Sequence, residues 1–234
     1  MVCRVFLTTP SKEVQALFET ANPVPNIAPN YNGAPGQRFP VARLDPNTGA
    51  RSLDLIHWGM PFAWPRDAPI TLRVTVTCET VATKPAYRDA FEHRRCLVPV
   101  DGLYTWQKRS DGATQAYAIM SADRKPLALA GLWDEWGGSV PGEAMQTFTI
   151  VTGPPNELLA SMNRMPAIVR REEWPHWLGE RKASTDKLLT MLRFSPDQLV
   201  QAYSMASGPG STRFSEATLG TVRAGELSAK VAFC

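Results

Sequence analysis

One thiol stands next to a cation near the start of the chain, in the sequence MVCRVFL. The thiolate is the nucleophilic form of cysteine, and the positive charge of Arg4 favours the thiolate of Cys3. Cys3 is therefore a candidate catalytic nucleophile. The alternative is that Cys3 is an ordinary small residue at the end of the chain.

Aromatic and basic side chains recur in short segments that contain glycine and proline. Trp58 and Trp64 lie in the segment HWGMPFAW, where their rings could stack on nucleic-acid bases. Arginine suits phosphate better than lysine, because the planar guanidinium forms paired hydrogen bonds with phosphate oxygens. The candidate phosphate-binding arginines are Arg4, Arg38, Arg43, Arg73, Arg88 and Arg164. Taken alone, each tryptophan is more often a core residue and each arginine a solvated surface residue.

Motifs for cofactors and for several enzyme classes are absent from the sequence. It has no P-loop, GxGxxG, GxSxG or HExxH motif, so nucleotide hydrolysis, Rossmann cofactors, α/β-hydrolase chemistry and zinc-protease chemistry have no support. The 4 cysteines form no CxxC pair and there are only 3 histidines, which offers no set of ligands at workable spacing for zinc. We expect no metal and no cofactor, and reduced buried thiols at Cys78 and Cys96.

The candidate residues need a scaffold, and the hydrophobic pattern predicts one that mixes strands and helices. A strand is predicted at 4–7, and a helix begins after Thr9-Pro10 with Val14, Leu17 and Phe18 on one face. A loop is predicted over 22–37. Further strands are predicted at 38–44, 53–58, 72–78, 95–100, 103–107, 115–121, 127–133 and 146–152, and further helices at 85–93, 155–161, 171–178, 184–192 and 196–201. Strands dominate the middle of the chain and helices its end, which is an α+β pattern.

Length and composition favour one folded domain over residues 1–234. Hydrophobic residues make up 44% of the chain and charged residues 20%, which excludes a disordered or fibrous protein. The 20 prolines are spread along the chain, as expected for many turns in one irregular domain. The formal net charge of +3 does not by itself indicate a nucleic-acid partner. No apolar run could span a membrane and no signal peptide is recognisable, so we expect a cytoplasmic protein without a membrane partner.

Several segments occur together in an order that is specific to one protein family. They are the Cys-Arg N-terminus, YNGAPGQ (31–37), HWGMPFAW (57–64), ETVATKPAYRDAF (79–91), RRCLVPVDGLYTW (94–106), LAGLWDEW (129–136), FTIVT (148–152) and NRMP (163–166). With these segments the chain resembles the SOS response-associated peptidase family, the abasic-site processing proteins. The resemblance covers residues 1–180, most of the chain.

The resemblance implies a single α+β domain with a curved, mixed, barrel-like β-sheet, peripheral helices and a positively charged groove for single-stranded DNA. It also implies a covalent mechanism. In the family, removal of the initiator methionine exposes an N-terminal cysteine. Its amine and thiol condense with the abasic-site aldehyde to form a thiazolidine, assisted by a glutamate, a histidine and an asparagine. The peptidase name reflects self-cleavage of the methionine.

The resemblance places several residues of this chain in the DNA groove. Arg4 matches a phosphate-contacting arginine of the family. The other matches to groove positions are Pro40, Trp58, Trp64, Thr152 and Arg164. Together with Arg38, these residues predict single-stranded or abasic-site DNA as the partner. The sequence leaves the oligomeric state open.

The family's catalytic positions are substituted in this chain. Val2 stands where the family has its cysteine, and Cys3 stands where it has a glycine. The asparagine, the glutamate and the histidine of the family are replaced by Thr75, Thr105 and Met162. The amine of Val2 can form an imine at neutral pH. Closure by the Cys3 thiol would then need an eight-membered ring that contains a planar amide. Threonine does not titrate near neutral pH, so Thr105 supplies no acid or base.

These substitutions predict a divergent member of the family, which binds single-stranded or damaged DNA while its covalent crosslinking is impaired or lost. Two alternatives stay open. The first is an active crosslinking enzyme that uses the Val2 amine or the Cys3 thiol. The second is a protein-interaction module on the same fold. Retention of Arg4, Trp58, Trp64 and Arg164 favours DNA binding over the interaction module.

Overall fold

Strands make up most of the regular structure. The structure of the protein is a computed structural model, which describes residues 4–23, 25–62, 70–108, 112–137, 144–157, 159, 163–193 and 200–205. The strands are β1 (Val5–Leu7), β2 (Asn30–Gly33), β3 (Arg38–Leu44), β4 (Arg51–Trp58), β5 (Met60–Phe62), β6 (Thr71–Arg73), β7 (Thr75–Thr77), β8 (Arg95–Val100), β9 (Gly102–Lys108), β10 (Thr114–Ser121), β11 (Leu127–Trp136), β12 (Met145–Gly153), β13 (Met165–Pro166) and β14 (Val200–Ser204). The helices are α1 (Ser11–Phe18), α2 (Pro85–His93), α3 (Trp174–Leu178) and α4 (Thr185–Arg193), and a 3-10 turn (Arg171–Glu173) precedes α3.

Five strands close into a barrel, in the order β11, β8, β3, β4 and β12, with β12 returning to β11. The pairs β11–β8, β8–β3, β3–β4 and β11–β12 are antiparallel. The remaining pair, β4–β12, is parallel and joins His57 to Thr147 and Trp58 to Phe148. The prediction of an α+β fold with a curved, mixed, barrel-like sheet is therefore confirmed.

A second sheet, in the order β14, β10, β9, β1 and β2, lies beside the barrel and is antiparallel throughout. One hydrophobic core takes residues from both sheets, such as Phe39 and Leu97 from the barrel and Leu103 and Ile119 from the second sheet. Burial of a side chain of this size stabilises the fold by about 1.5–3 kcal/mol. The shared core therefore fixes the second sheet against the barrel.

Short strands extend the barrel on both sides of β12. β7 runs parallel to β12 and β13 runs antiparallel to it, while β5 and β6 form a two-stranded ribbon. The chain enters this ribbon at Gly59, whose φ of 119° is strained for any residue with a Cβ. The Gly59 N–H donates to the Phe148 carbonyl at 2.7 Å. Glycine thus turns the chain out of β4 while keeping it bonded to β12.

Side chains cover the outer edge of β4 beyond its short parallel pairing with β12. The Asn22 amide donates to the Leu53 carbonyl at 3.0 Å and accepts from the Leu53 N–H at 2.7 Å. The Arg38 guanidinium donates to the Leu55 carbonyl at 2.8 Å. Unpaired strand edges invite further strands unless they are covered. These side chains take over the hydrogen bonds that a longer β4–β12 pairing would provide.

Several predicted elements match the structure closely. The predicted strands 38–44 and 95–100 and the predicted helix 85–93 have the observed bounds. Pro85 occupies the first turn of α2, where its missing N–H costs no hydrogen bond. α1 begins after Pro10, and Val14 and Phe18 face the core as its spacing indicated.

Other predicted elements are wrong. The predicted loop 22–37 contains β2, which pairs with β1 despite its polar sequence. The predicted strand 72–78 is divided at Val74 into β6 and β7, because the two halves pair with different strands. Residues 155–157 of the predicted helix 155–161 are irregular.

The predicted helix 196–201 ends in a strand. Its last two residues belong to β14, which pairs with β10, and residues 196–199 lie outside the described part of the chain. Pairing with a neighbouring strand overrides local helix propensity here. Within the described ranges, no helix is long and apolar enough to cross a membrane.

Candidate functional site

Arg4 immediately precedes β1, and a second side chain holds its guanidinium. Arg4 Nη1 donates to Asn32 Oδ1 at 3.0 Å, and the Arg4 carbonyl accepts from the Tyr104 N–H at 3.1 Å. Asn32 is in turn fixed by its own N–H, which donates to Asn30 Oδ1 at 3.0 Å. A guanidinium has five N–H donors, so Arg4 can hold Asn32 and still contact a phosphate. No local signal singles out Asn32, although it lies in the segment YNGAPGQ.

Two tyrosines tie β2 to β9 beside Arg4. The Tyr104 hydroxyl donates to the Tyr31 carbonyl at 2.8 Å, and the Tyr104 ring stacks on Phe6 with ring centroids 5.0 Å apart. Burial raises the pKa of the Tyr104 hydroxyl above its ordinary value. Tyr104 is therefore a neutral structural residue that supports the surroundings of Arg4.

Thr105 follows Tyr104 on β9 and has a buried side chain, with 1% of the residue exposed. Its Oγ1 has no hydrogen-bond partner among the described residues. The resemblance places the family's glutamate here. A threonine hydroxyl can donate one hydrogen bond and accept others, but it does not ionise near neutral pH. The position therefore lacks a general acid or base.

A second group of matched residues lies around the C-terminal half of β12. Thr75 is the register partner of Ile150, and Thr77 is the register partner of Thr152. Arg164 immediately precedes β13, which pairs with the end of β12. Thr75 and Arg164 are thus attached to the same strand through its two neighbours.

Arg164 forms an ion pair with Glu79. Its Nη1 lies 2.9 Å from Glu79 Oε2 and 3.2 Å from Oε1. Burial alone would raise the pKa of the Glu79 carboxyl, but hydrogen bonds from Arg164 and the backbone outweigh it and hold that pKa below its usual range. Glu79 is consequently an anion at neutral pH and offsets the charge of Arg164. Nothing in the sequence around Glu79 indicates this pairing, because its partner is distant in the chain.

Cys78 lies beside this ion pair but is not a reactive thiol. It is buried, with 1% of the residue exposed. Burial, followed by the neighbouring Glu79 carboxylate, raises the pKa of its thiol. A thiol of this kind stays protonated and inaccessible, so it is a poor nucleophile. Cys96 is also buried and its thiol pKa is raised by burial, which confirms both residues as buried thiols.

Three residues expected to contact DNA are buried instead. Trp58 is 1% exposed and its indole N–H donates to the Val74 carbonyl at 3.0 Å. Thr152 is 3% exposed and its hydroxyl donates to the Val76 carbonyl at 3.1 Å. Pro40 is buried in β3. These side chains have little surface left for DNA in this structure, because they belong to barrel strands whose faces are covered. Their assignment to the DNA groove stays a prediction.

The remaining arginines have different surroundings. Arg43 is 6% exposed, pairs with Asp54 at 2.7 Å and lies 4.0 Å from the Trp133 ring centroid. It stabilises the barrel and is not available to a phosphate. Arg73 lies over the Phe62 ring at 3.4 Å, whereas Arg88 is exposed on α2.

Arg38 borders a cleft of about 420 Å³ at the point where β4 and β12 diverge. The cleft is lined by Arg38, Leu55, His57, Glu135, Ala144, Met145 and Gln146. The Arg38 side chain is exposed even though it donates to the Leu55 carbonyl. It can reach an anion in solvent with its other N–H groups.

The described site residues lie on three parts of the two sheets. Arg4 and Thr105 lie on adjacent strands of the second sheet, Thr75 and Arg164 lie beside β12, and Arg38 lies at the cleft. Hydrogen bonds from Arg4 to Asn32, from the Asn32 N–H to Asn30 and from the Asn30 amide to Gln37 link the surroundings of Arg4 to the residue before Arg38. The predicted residues Val2, Cys3, Trp64 and Met162 lie outside the described part of the chain. The described residues also contain no group of three or more His, Cys, Asp or Glu side chains that could hold a metal ion.

Comparison with known proteins finds one family. A sequence model described as SOS response associated peptidase matches residues 1–208. The abasic site processing protein YoaM of Bacillus subtilis is 31% identical over 194 residues, which cover 82% of this chain and 84% of YoaM. The abasic site processing protein HMCES of Gallus gallus is 27% identical over 195 residues, which cover 70% of this chain and 58% of HMCES.

Solved structures share the fold. A crystal structure of a Bacteroides thetaiotaomicron protein superimposes with a TM-score of 0.75 at 21% sequence identity, covering 89% of this chain and 96% of that one. A crystal structure of a Bordetella bronchiseptica protein superimposes with a TM-score of 0.70 at 20% identity, covering 88% of this chain and 100% of that one. These likenesses support the architecture of a barrel with a second sheet.

Proposed function

The chain belongs to the SOS response associated peptidase family, and from this membership we propose that it binds single-stranded DNA, including strands with an abasic site, while covalent crosslinking by the family's route is impaired or lost. Its relatives YoaM and HMCES are named abasic site processing proteins. The proposal gives this chain the same class of substrate, with slower covalent crosslinking or none.

Two arginines support the DNA-binding part of the proposal. Arg4 is held by Asn32 through one nitrogen, which fixes the side chain while leaving donors for a phosphate. Arg38 is exposed at the cleft. Contacts to phosphates supply most of the affinity of sequence-independent binding. Arg4 is the better candidate, because an ordered side chain loses less conformational entropy on binding.

The observation that best supports impaired crosslinking is the threonine at position 105, where the family has a glutamate. Its buried hydroxyl has no hydrogen-bond partner in the described part of the chain and does not ionise near neutral pH. General acid–base assistance typically contributes about 10²–10⁴-fold to a rate. The substitutions at Val2, Thr75 and Met162 remove the other groups of the family's route. Residual adduct formation should therefore be slow.

Fluorescence anisotropy with labelled single-stranded DNA tests the binding part. We expect binding that weakens with salt, because phosphate contacts release counterions. Arg4→Ala should weaken binding. It should also make the slope of log K against log salt shallower by about 0.7, which is the value for one phosphate contact on a single strand. Lys12→Ala removes a charge from an exposed position on α1 and serves as the matched control. Affinity that is unaffected by both salt and Arg4→Ala would contradict the proposal.

A denaturing gel of protein incubated with abasic-site single-stranded DNA tests the chemical part. We expect little heat-stable adduct from the wild type. A strong adduct that survives denaturation and is lost in Cys3→Ala would instead establish an active crosslinking enzyme. No DNA binding and no adduct would leave the protein-interaction module as the function on this fold.

A further inference from the structure

The ion pair of Arg164 and Glu79 uses only part of the arginine. Both short contacts to the Glu79 carboxylate come from Arg164 Nη1. Among the described residues, Nε and Nη2 of Arg164 have no hydrogen-bond partner. The Arg164 side chain is 35% exposed and the Glu79 side chain is 47% exposed. A phosphate arriving from solvent would therefore meet both residues. The carboxylate therefore occupies part of the surface that a phosphate would use.

The ion pair is weak enough for a phosphate to replace the Glu79 carboxylate at Arg164. Ion pairs that are this exposed contribute little to stability, because solvent screens them and both side chains are ordered at an entropic cost. A phosphate carries the same charge as the carboxylate and forms paired hydrogen bonds with a guanidinium. Breaking the contact with Glu79 is consequently a small obstacle, so a phosphate and the Glu79 carboxylate can compete for the same N–H donors of Arg164.

We propose that Glu79 restrains DNA binding by competing with a DNA phosphate for Arg164. This inference rests on the proposed function, because it needs single-stranded DNA at Arg164. The restraint reduces non-specific affinity without removing the arginine. The opposing possibility is that Glu79 is a positioning residue, which increases affinity by aiming the Arg164 guanidinium at the DNA.

Glu79→Gln separates competition from positioning. The glutamine keeps a carbonyl oxygen that can accept from Arg164 but removes the charge. Competition predicts binding to labelled single-stranded DNA that is about three- to ten-fold tighter at low salt. The slope of log K against log salt should steepen by about 0.7, as expected for one additional phosphate contact. Positioning predicts unchanged binding in Glu79→Gln and weaker binding in Glu79→Ala.

Two further variants show whether the effect passes through Arg164. In an Arg164→Ala background, Glu79→Gln should give no gain, because the residue for which the phosphate competes is absent. Glu172→Gln makes the same charge change at an exposed glutamate paired with Arg170, and it should leave affinity within about two-fold. Tighter binding by both glutamine variants would show a general charge effect and overturn the inference.

The remaining outcomes are also decisive. If Glu79→Gln binds no tighter than the wild type, Glu79 does not compete and the inference is wrong, while the proposed function stands. If the gain persists in the Arg164→Ala background, Glu79 repels DNA directly and not through Arg164, which also overturns it. If neither the wild type nor Glu79→Gln binds single-stranded DNA, the proposed function itself fails.

Discussion

Trp58 and Phe148 are register partners in the two-residue parallel pairing that closes the barrel, and their rings stack with centroids 6.1 Å apart. The hydrogen bond from the Trp58 indole to the Val74 carbonyl fixes the ring on the segment that leads into β7. The tryptophan that the sequence offered for base stacking thus holds β4 and β12 together.

Replacing Trp58 by alanine should therefore destabilise the folded protein. We expect Trp58→Ala to lower the free energy of unfolding by about 3–5 kcal/mol, because a cavity replaces a buried aromatic ring. Denaturant unfolding measures this change. Trp136, which is 42% exposed, is the matched control, and its change to alanine should cost about 1 kcal/mol or less. Weaker DNA binding by a fully stable Trp58→Ala protein would contradict the structural role.

Asp101 should be a second determinant of stability. Its Oδ2 accepts from the N–H and hydroxyl of Thr8 and from the Thr9 N–H, and its Oδ1 accepts from the Thr9 hydroxyl. We expect Asp101→Ala to lower the free energy of unfolding by about 2–4 kcal/mol, because four partly buried donors lose their acceptor. Asp101→Asn should cost less, since its amide oxygen can take the three-bond position and its NH₂ can donate to the Thr9 hydroxyl. Equal losses in denaturant unfolding of the two variants would contradict this account.

The cysteines should show reactivity that depends on folding. In a Cys3→Ser, Cys234→Ser variant the remaining thiols are Cys78 and Cys96, which are buried and have raised pKa values. We expect no reaction with a thiol reagent in the native protein up to about pH 9 and reaction of both thiols after unfolding. Rapid labelling of native Cys78 would show that the region beside Glu79 opens.

The Glu79 carboxyl should titrate below its usual range, and Arg164 should be the reason. Because the pKa is lowered in the folded state, the ion pair stabilises the fold above the ordinary carboxyl range and loses this contribution as pH falls through the folded pKa. The contribution is at most about 1 kcal/mol, since the pair is partly exposed. We expect Arg164→Ala to raise the Glu79 pKa in an NMR titration, with Arg170→Ala as the unaffected control.

Restoring the substituted positions as a group should recover crosslinking. The variant carries Val2→Cys, Cys3→Gly, Thr75→Asn, Thr105→Glu and Met162→His. It should crosslink abasic-site single-stranded DNA much faster than the wild type, because general acid–base groups typically contribute about 10²–10⁴-fold. Any single restoration should do little, since residues that act as a unit are not additive.

The matched control keeps Thr105 and restores the other four positions. Comparing the stability of this control with that of the full variant shows whether a carboxylate at the buried position 105 is tolerated, because an unpaired buried charge is costly. A restored protein that folds and binds DNA on the gel assay, yet crosslinks no better than the wild type, would show that the matched positions do not converge in space.

The sequence determined the local elements and the family. Pro85 and the apolar spacing that follows it predicted α2 with its observed bounds, and β-branched and apolar runs predicted β3 and β8. These signals are local, because helix and strand periodicity depend on neighbouring residues. The order of the segments between Cys3 and Pro166 indicated the family for the same reason, since it is written along the chain.

Only the tertiary structure decided which polar and aromatic side chains are free to act. Trp58 and Arg43 are buried by the closure of the barrel, and Arg164 meets Glu79, a residue 85 positions away in the chain. No local pattern contains such a pairing, because it depends on the paths of β7 and β13 along β12. Exposure and ion pairing are properties of the assembled strands, so residue type alone could not separate the arginines that stabilise the fold from those left exposed to solvent.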